Sequence, residues 1–128
     1  IDLRIEVPAV TASDLIGPAD SEPSDIVGGR VAEARKIQEQ RFLERGVSAR
    51  TNAQAPASIV EEIAQPDDRD LAFLRDAAET FRLSARGYHR VLKLARTLAD
   101  LDGLDTVSRI HLAEALSYRG QDISRRAA

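Results

Sequence analysis

Apolar and charged residues alternate strictly along Ile1-Asp2-Leu3-Arg4-Ile5-Glu6-Val7, the period of a strand with one buried face, and Pro8 stops the run. No second strand pattern follows. A strand without a ladder partner leaves its backbone groups unpaired, so the segment reads as one strand left over from a sheet outside this chain. From Thr11 to Ser24 the chain carries Ser, Asp, Gly and two prolines without a period, and is expected to be a linker. The pattern then turns helical. Ser24 is placed to cap a long helix reaching about Arg45, with Val27, Val31, Ala34 and Ile37 on a narrow apolar stripe and Gly46 as its stop. Gly28-Gly29 weakens its first turns.

Val47 to Ala57 is expected to be loop, after which Ile59, Val60 and Ile63 make a short helix ended by Pro66. Asp67 or Asp68 caps the next helix, whose face of Leu71, Leu74, Ala78 and Phe81 runs to about Arg82. The most regular segment is Ser84 to Leu101. Ser84 is a good N-cap, and Tyr88, Val91, Leu92, Ala95, Leu98 and Ala99 form one apolar stripe, with Arg86, Arg90, Lys93, Thr97 and Asp100 expected on the opposite one. Asp102-Gly103 ends this helix. Ser108 opens a last one, in which Val107 and Leu112 have hydrophobic-staple spacing and Ala115 and Leu116 point inward. Gly120 is expected to close it, with a frayed tail behind. The fold class is therefore mainly α, divided into residues 1–23 (strand and linker), 24–120 (a bundle of about four or five helices) and 121–128 (tail).

Composition narrows this further. A chain of 128 residues supports one modest core, and with 4% aromatics and no Trp, Met or Cys that core must come from aliphatic helix faces. Without cysteine there is no disulfide framework or thiolate metal site. No apolar run approaches a membrane span and no signal pattern opens the chain, so no membrane partner and a cytoplasmic location are expected. Two lysines accompany sixteen arginines within a net charge of −3. The overall sign does not mark a nucleic-acid binder, but arginine is suited to bidentate phosphate contacts, and a local arginine site remains open.

Arg86 is the residue to single out. It falls in the first turn of its helix, where free backbone N–H groups and the positive end of the helix dipole favour an anion; a cation placed there is mildly unfavourable unless an anion joins it. The plain alternative is a solvated surface charge. His89 and His111 lie on different helices without a second ligand at metal spacing, and Ser84 beside His89 lacks an orienting acid, so an N-cap outweighs a nucleophile. Glu61-Glu62 and Asp67-Asp68-Arg69-Asp70 sit where acids are ordinary on helices. Gly28-Gly29 precedes no lysine and makes no phosphate loop. Arg30, Arg35, Lys36, Arg41 and Arg45 on the long helix either touch nucleic-acid phosphates or balance Glu33, Glu39 and Glu44, with spacing on the side of balance.

Two stretches resemble the end of the magnesium-chelatase-like ComM family of AAA+ ATPases: Ser84-Ala85-Arg86-Gly87-Tyr88-His89-Arg90-Val91-Leu92-Lys93-Leu94-Ala95-Arg96-Thr97-Leu98-Ala99-Asp100-Leu101, and Ile110-His111-Leu112-Ala113-Glu114-Ala115-Leu116-Ser117-Tyr118-Arg119. Ile1-Asp2-Leu3 with Glu6-Val7-Pro8, the Val31–Phe42 helix and Thr51-Asn52-Ala53 resemble the same family in the expected order. The resemblance implies a helical lid over ATP, with Arg86 as the sensor 2 arginine at the γ-phosphate and Arg90 as a weaker nucleotide-binding candidate. It implies no catalytic residue within this chain: ATP and Mg2+ would be bound mainly by an AAA+ core upstream of Ile1, and Arg4 does not match an arginine finger. It further implies a homo-oligomeric ring, often a hexamer, and DNA handling in natural transformation as a helicase or branch-migration motor. Two other readings stay open. One is a stand-alone helical DNA-binding or protein-adaptor module; the other is a cobalt or magnesium chelatase motor subunit, which would share the lid and differ in partner.

Overall fold

The computed structural model describes residues 3–17 and 21–119, and every helical segment expected from the pattern between Ser24 and Arg119 forms. In chain order the helices are α1 (Ala12–Ile16), α2 (Ser24–Glu44), α3 (Ala57–Ile63), α4 (Asp68–Thr80), α5 (Ala85–Leu101) and α6 (Arg109–Ser117), with a 3-10 turn at Asn52–Gln54. None of the described helices is long and apolar enough to cross a membrane.

The expected opening strand is not formed among the described residues. Residues 3–10 have no regular secondary structure, and Ile5 and Val7 are exposed. No strand lies among the described residues to supply a ladder, and an apolar–polar alternation alone cannot satisfy a strand's backbone groups. Ile1 and Asp2 lie outside the described residues. The linker also holds more order than its lack of period implies. Thr11 and Asp14 form a capping box, the Asp14 amide reaching the Thr11 hydroxyl at 3.2 Å and the Thr11 amide reaching the Asp14 carboxylate at 3.0 Å, which is enough to start one turn of helix at α1.

Two helix starts follow the expected chemistry. Asp67 accepts from the Asp70 amide at 2.9 Å, and Ser84 accepts from the Gly87 amide at 3.1 Å. Ser24, by contrast, is the first residue inside α2, because Pro23 occupies the cap position with no side-chain bond. Gly46 (φ 67) and Gly103 (φ 70) take the left-handed conformation expected of the stops after α2 and α5. Arg82 adopts it too, at φ 50, in the tight link from α4 to α5. The Gly120 stop and the 121–128 tail lie outside the described residues; α6 ends at Ser117.

Helix α5 is the spine, packed against α6, α2, α3 and the 3-10 turn, while α4 packs on α6. Val91, Leu92, Ala95 and Ala99 of α5 meet Phe42, Val60, Leu74, Val107 and Leu112 in one continuous core. The buried line of α2 differs from the expected stripe. Ala34, Gln38 and Phe42 go inward at four-residue spacing, whereas Val27, Val31 and Ile37 stay 38–39% exposed. The stripe was drawn through apolar residues alone, and the face that packs uses a glutamine.

Candidate functional site

The first turn of α5 presents Arg86 to solvent at the mouth of a cleft of about 330 Å3, lined by Ala53, Arg86, His89, Arg90 and Lys93. Arg86, Arg90 and Lys93 follow at four- and three-residue spacing, so they share one face of the helix. Among the described residues Arg86 makes no ion pair and no side-chain hydrogen bond. Lys93 donates from Nζ to the Ala53 carbonyl at 2.9 Å, which brings the 3-10 turn in as the opposite wall. His89 Nε2 lies 2.9 Å from Glu61 Oε1, tying α5 to α3. The cleft is thus cationic along its α5 wall.

The helix terminus beneath Arg86 is closely built. Ser84 Oγ serves as the cap, accepting from the Gly87 amide. Gly87 is buried and has no room to spare: a methyl group there would meet Arg119 Nη2 at 3.2 Å and Ser84 Oγ at 3.3 Å. The guanidinium of Arg119, from the end of α6, therefore lies over the same turn.

Behind the cleft is a buried polar network that the sequence pattern did not reveal. Asp100, assigned to the solvent stripe, has a fully buried side chain. Its Oδ1 accepts from Arg41 Nη2 at 2.5 Å and Arg96 Nε at 3.1 Å, and its Oδ2 from Arg41 Nη1 at 3.1 Å and Asn52 Nδ2 at 3.0 Å. Arg96, 2% exposed, donates onward to the carbonyls of Leu104 (2.6 Å), Asp105 (2.7 Å) and Ile63 (3.4 Å). Burial pulls its guanidinium below the ordinary arginine range, and Asp100 pulls it back up. Asn52 completes the set, its amide nitrogen donating to Gln38 Oε1 at 3.0 Å and Nδ2 also to Thr97 Oγ1 at 3.0 Å. Among the described residues no buried side-chain donor or acceptor is left without a partner. One signal was available in the sequence: Arg96 interrupts the apolar run between Ala95 and Ala99, and Asp100 stands four residues later at ion-pair spacing.

Several of the remaining charged candidates are tied into the fold. Arg41 belongs to the network, Arg30 pairs with Glu22, and Arg45 pairs with Glu62, so α2 does not present its arginines as one free row. Asp70 accepts from the Arg109 amide at 3.0 Å, fixing the start of α6 to α4. His111 is buried: its Nδ1 accepts from the Ser108 amide at 3.0 Å, so Nε2 carries the proton and donates to Asp102 at 2.9 Å. Among the described residues no group of three or more His, Cys, Asp or Glu stands close enough to hold a metal ion.

Comparison with known proteins agrees with this architecture. The family description "Magnesium chelatase, subunit ChlI C-terminal" matches residues 21–119. Competence protein ComM of Haemophilus influenzae is 39% identical over 119 residues, covering 92% of this chain and 22% of ComM. The protein YifB of Escherichia coli K12 is 33% identical over 124 residues, covering 94% of this chain and 23% of YifB. Rv2897c of Mycobacterium tuberculosis is 34% identical over 119 residues, with 93% and 23% covered. The chain thus spans under a quarter of the length of these curated relatives. With its helical bundle and this match from residue 21 to residue 119, the chain belongs to the magnesium chelatase C-terminal domain family, as represented in ComM- and YifB-like proteins.

Proposed function

We propose that this chain is the lid of a ComM-like AAA+ ATPase and that Arg86 is its sensor 2 arginine, contacting the terminal phosphate of ATP. The observation that carries the reading is Arg86 itself: an exposed guanidinium without an anionic partner among the described residues, on the first turn of α5, where a lone cation is disfavoured and a phosphate is welcome. Arg90 and Lys93 continue the cationic wall, with Arg90 the weaker nucleotide contact. The residues present fit the phosphate end of a nucleotide. ATP and Mg2+ would be held mainly by an AAA+ core outside this chain, which supplies the hydrolytic chemistry when present. The part played here is to bind and orient, with loss of the phosphate contact after hydrolysis freeing the lid to rotate against the core. The whole protein would form a ring, a hexamer by family resemblance, and use that motion to remodel or translocate DNA in the cytoplasm.

The test is steady-state ATPase activity of the full-length protein, wild type against Arg86→Ala at matched folding, with and without DNA. Loss of turnover with ATP binding largely kept supports the sensor role. Unchanged turnover makes Arg86 a surface charge and returns the chain to the adaptor-module reading.

A further inference from the structure

Two apolar surfaces of the fold have no element packed over them among the described residues. The first is the leading half of α2. The side of α2 that buries Ala34, Gln38 and Phe42 continues back through Val31 and Val27 at the same three- and four-residue spacing, yet both stay part-exposed and Ile26 beside them is 52% exposed. A gap of about 640 Å3 separates Ile26, Gly29 and Arg30 from the Leu101–Gly103 end of α5. The second surface is an open groove of about 440 Å3 between α4 and α6, lined by Phe73, Ala77, Phe81, Ala113 and Leu116, with Ile110 76% exposed one turn before Ala113. Ile110 to Ser117 of α6 rise about 10 Å, as do Ser24 to Val31 of α2.

The two surfaces are also polarised in matching senses. Helices α4 and α6 run parallel, since Asp70 accepts from the Arg109 amide near their starts while Thr80 and Ser117 share the groove at their ends. The starting end is cationic, with the Arg109 guanidinium 4.4 Å from the Phe73 ring centre. The finishing end carries Asp76, Glu79 and Glu114, and neither helix has a basic residue in its last turn. Along α2 the order is reversed: Asp25 stands in the first turn, and Arg30, Arg35 and Lys36 outnumber Glu33 further on. Laid parallel to α4 and α6, this helix sets acid against base at both ends of the groove.

We infer that a second copy of this chain covers both surfaces: the leading half of α2, through Ile26, Val27 and Val31, lies in the α4–α6 groove of its neighbour. The two patches belong to different elements, so the contact is heterologous and repeats from copy to copy. It rests on the ring reading for the closure of that repeat and is independent of the phosphate role of Arg86. Burial of the aliphatic and aromatic side chains supplies the attraction, and the order of charges fixes the direction of insertion.

The experiment is sedimentation velocity of the 128-residue chain up to millimolar concentration. The wild type should associate reversibly, and less as salt is raised. Ile26→Asp blocks the inserted helix and Ile110→Lys blocks the groove. Both residues are exposed, so the variants should keep the wild-type circular dichroism and unfolding midpoint. Each alone should stay monomeric where the wild type does not. Their equimolar mixture should form a dimer and stop there, because the intact groove of one variant accepts the intact α2 of the other and both remaining surfaces are blocked. A mixture that stays monomeric overturns the contact, as does a single variant that associates as well as the wild type. A wild type that stays monomeric up to millimolar concentration overturns it too; shifts of the α4 and α6 amides on deleting residues 120–128 would then identify the chain's own end as the cover of the groove. In the full-length protein, a ring that survives both substitutions overturns the contact and leaves the ring reading intact. A full-length wild type that is monomeric, while the two variants of the 128-residue chain still pair, removes the ring and keeps the contact.

Discussion

Arg41 and Asp100 meet as a fork of two bonds, Nη2 to Oδ1 at 2.5 Å and Nη1 to Oδ2 at 3.1 Å, joining α2 to α5 across 59 positions of sequence. Asp100 faces a second guanidinium from Arg96 on the same oxygen, so one carboxylate serves two buried or half-buried cations. Removing a single partner from such a set leaves charge uncompensated in the interior. Asp100→Ala is therefore expected to destabilise the chain by about 3–5 kcal/mol, more than Arg41→Ala, whose side chain retains some access to water. Urea unfolding of the two single variants and the double should show the losses to be strongly non-additive.

Ser84 caps α5 at the turn that carries Arg86. Ser84→Ala should cost about 1 kcal/mol in thermal or urea unfolding, and Ser84→Asp should recover most of it. Arg86→Ala, at an exposed position with no partner among the described residues, should change stability by no more than about 0.5 kcal/mol, which separates its role from that of its neighbour.

Arg82 holds φ 50 between α4 and α5. A side chain in the left-handed region costs roughly 1–2 kcal/mol, and glycine gives back part of that through its greater unfolded-state freedom. Arg82→Gly should thus be neutral to stabilising by under about 1 kcal/mol, and Arg82→Val clearly destabilising, both read from urea midpoints.

The Thr11 hydroxyl and amide hold the Asp14 carboxyl below its ordinary range. A group whose folded value is lowered adds stability that is complete above the unfolded value and disappears as pH falls through the folded one. The turn at α1 should accordingly persist through neutral pH and melt only below the usual aspartate range, as amide shifts of residues 12–16 across an acid titration would report. Thr11→Val should remove both the helical shifts and their pH dependence.

Periodicity was a sound guide where one face of a helix did all the packing. The α5 stripe and the Ser84 and Asp67 caps are legible in the sequence because each follows from local chemistry. It says less where a partner is needed. The Ile1–Val7 alternation describes a strand only if another strand lies beside it, and none does among the described residues. It failed at Asp100, since an aspartate on the far side of an apolar stripe belongs in solvent unless cations from elsewhere converge on it. Arg41 and Asn52, distant in sequence, do that here. For Arg86 the sequence supplied the position on the helix, and the structure adds its exposure and the lack of a counter-ion among the described residues.

The unequal burial of α2 has a consequence for how the molecule breathes. Its C-terminal half is fastened by Phe42, Gln38 and Arg41, while Ile26, Val27 and Val31 remain 38–52% exposed along the N-terminal half. One continuous helix therefore consists of two energetic segments. Amides after Ala34 should exchange with solvent only when the bundle opens as a whole, and those before it through local fraying, so that protection rises along a single unbroken rod of backbone.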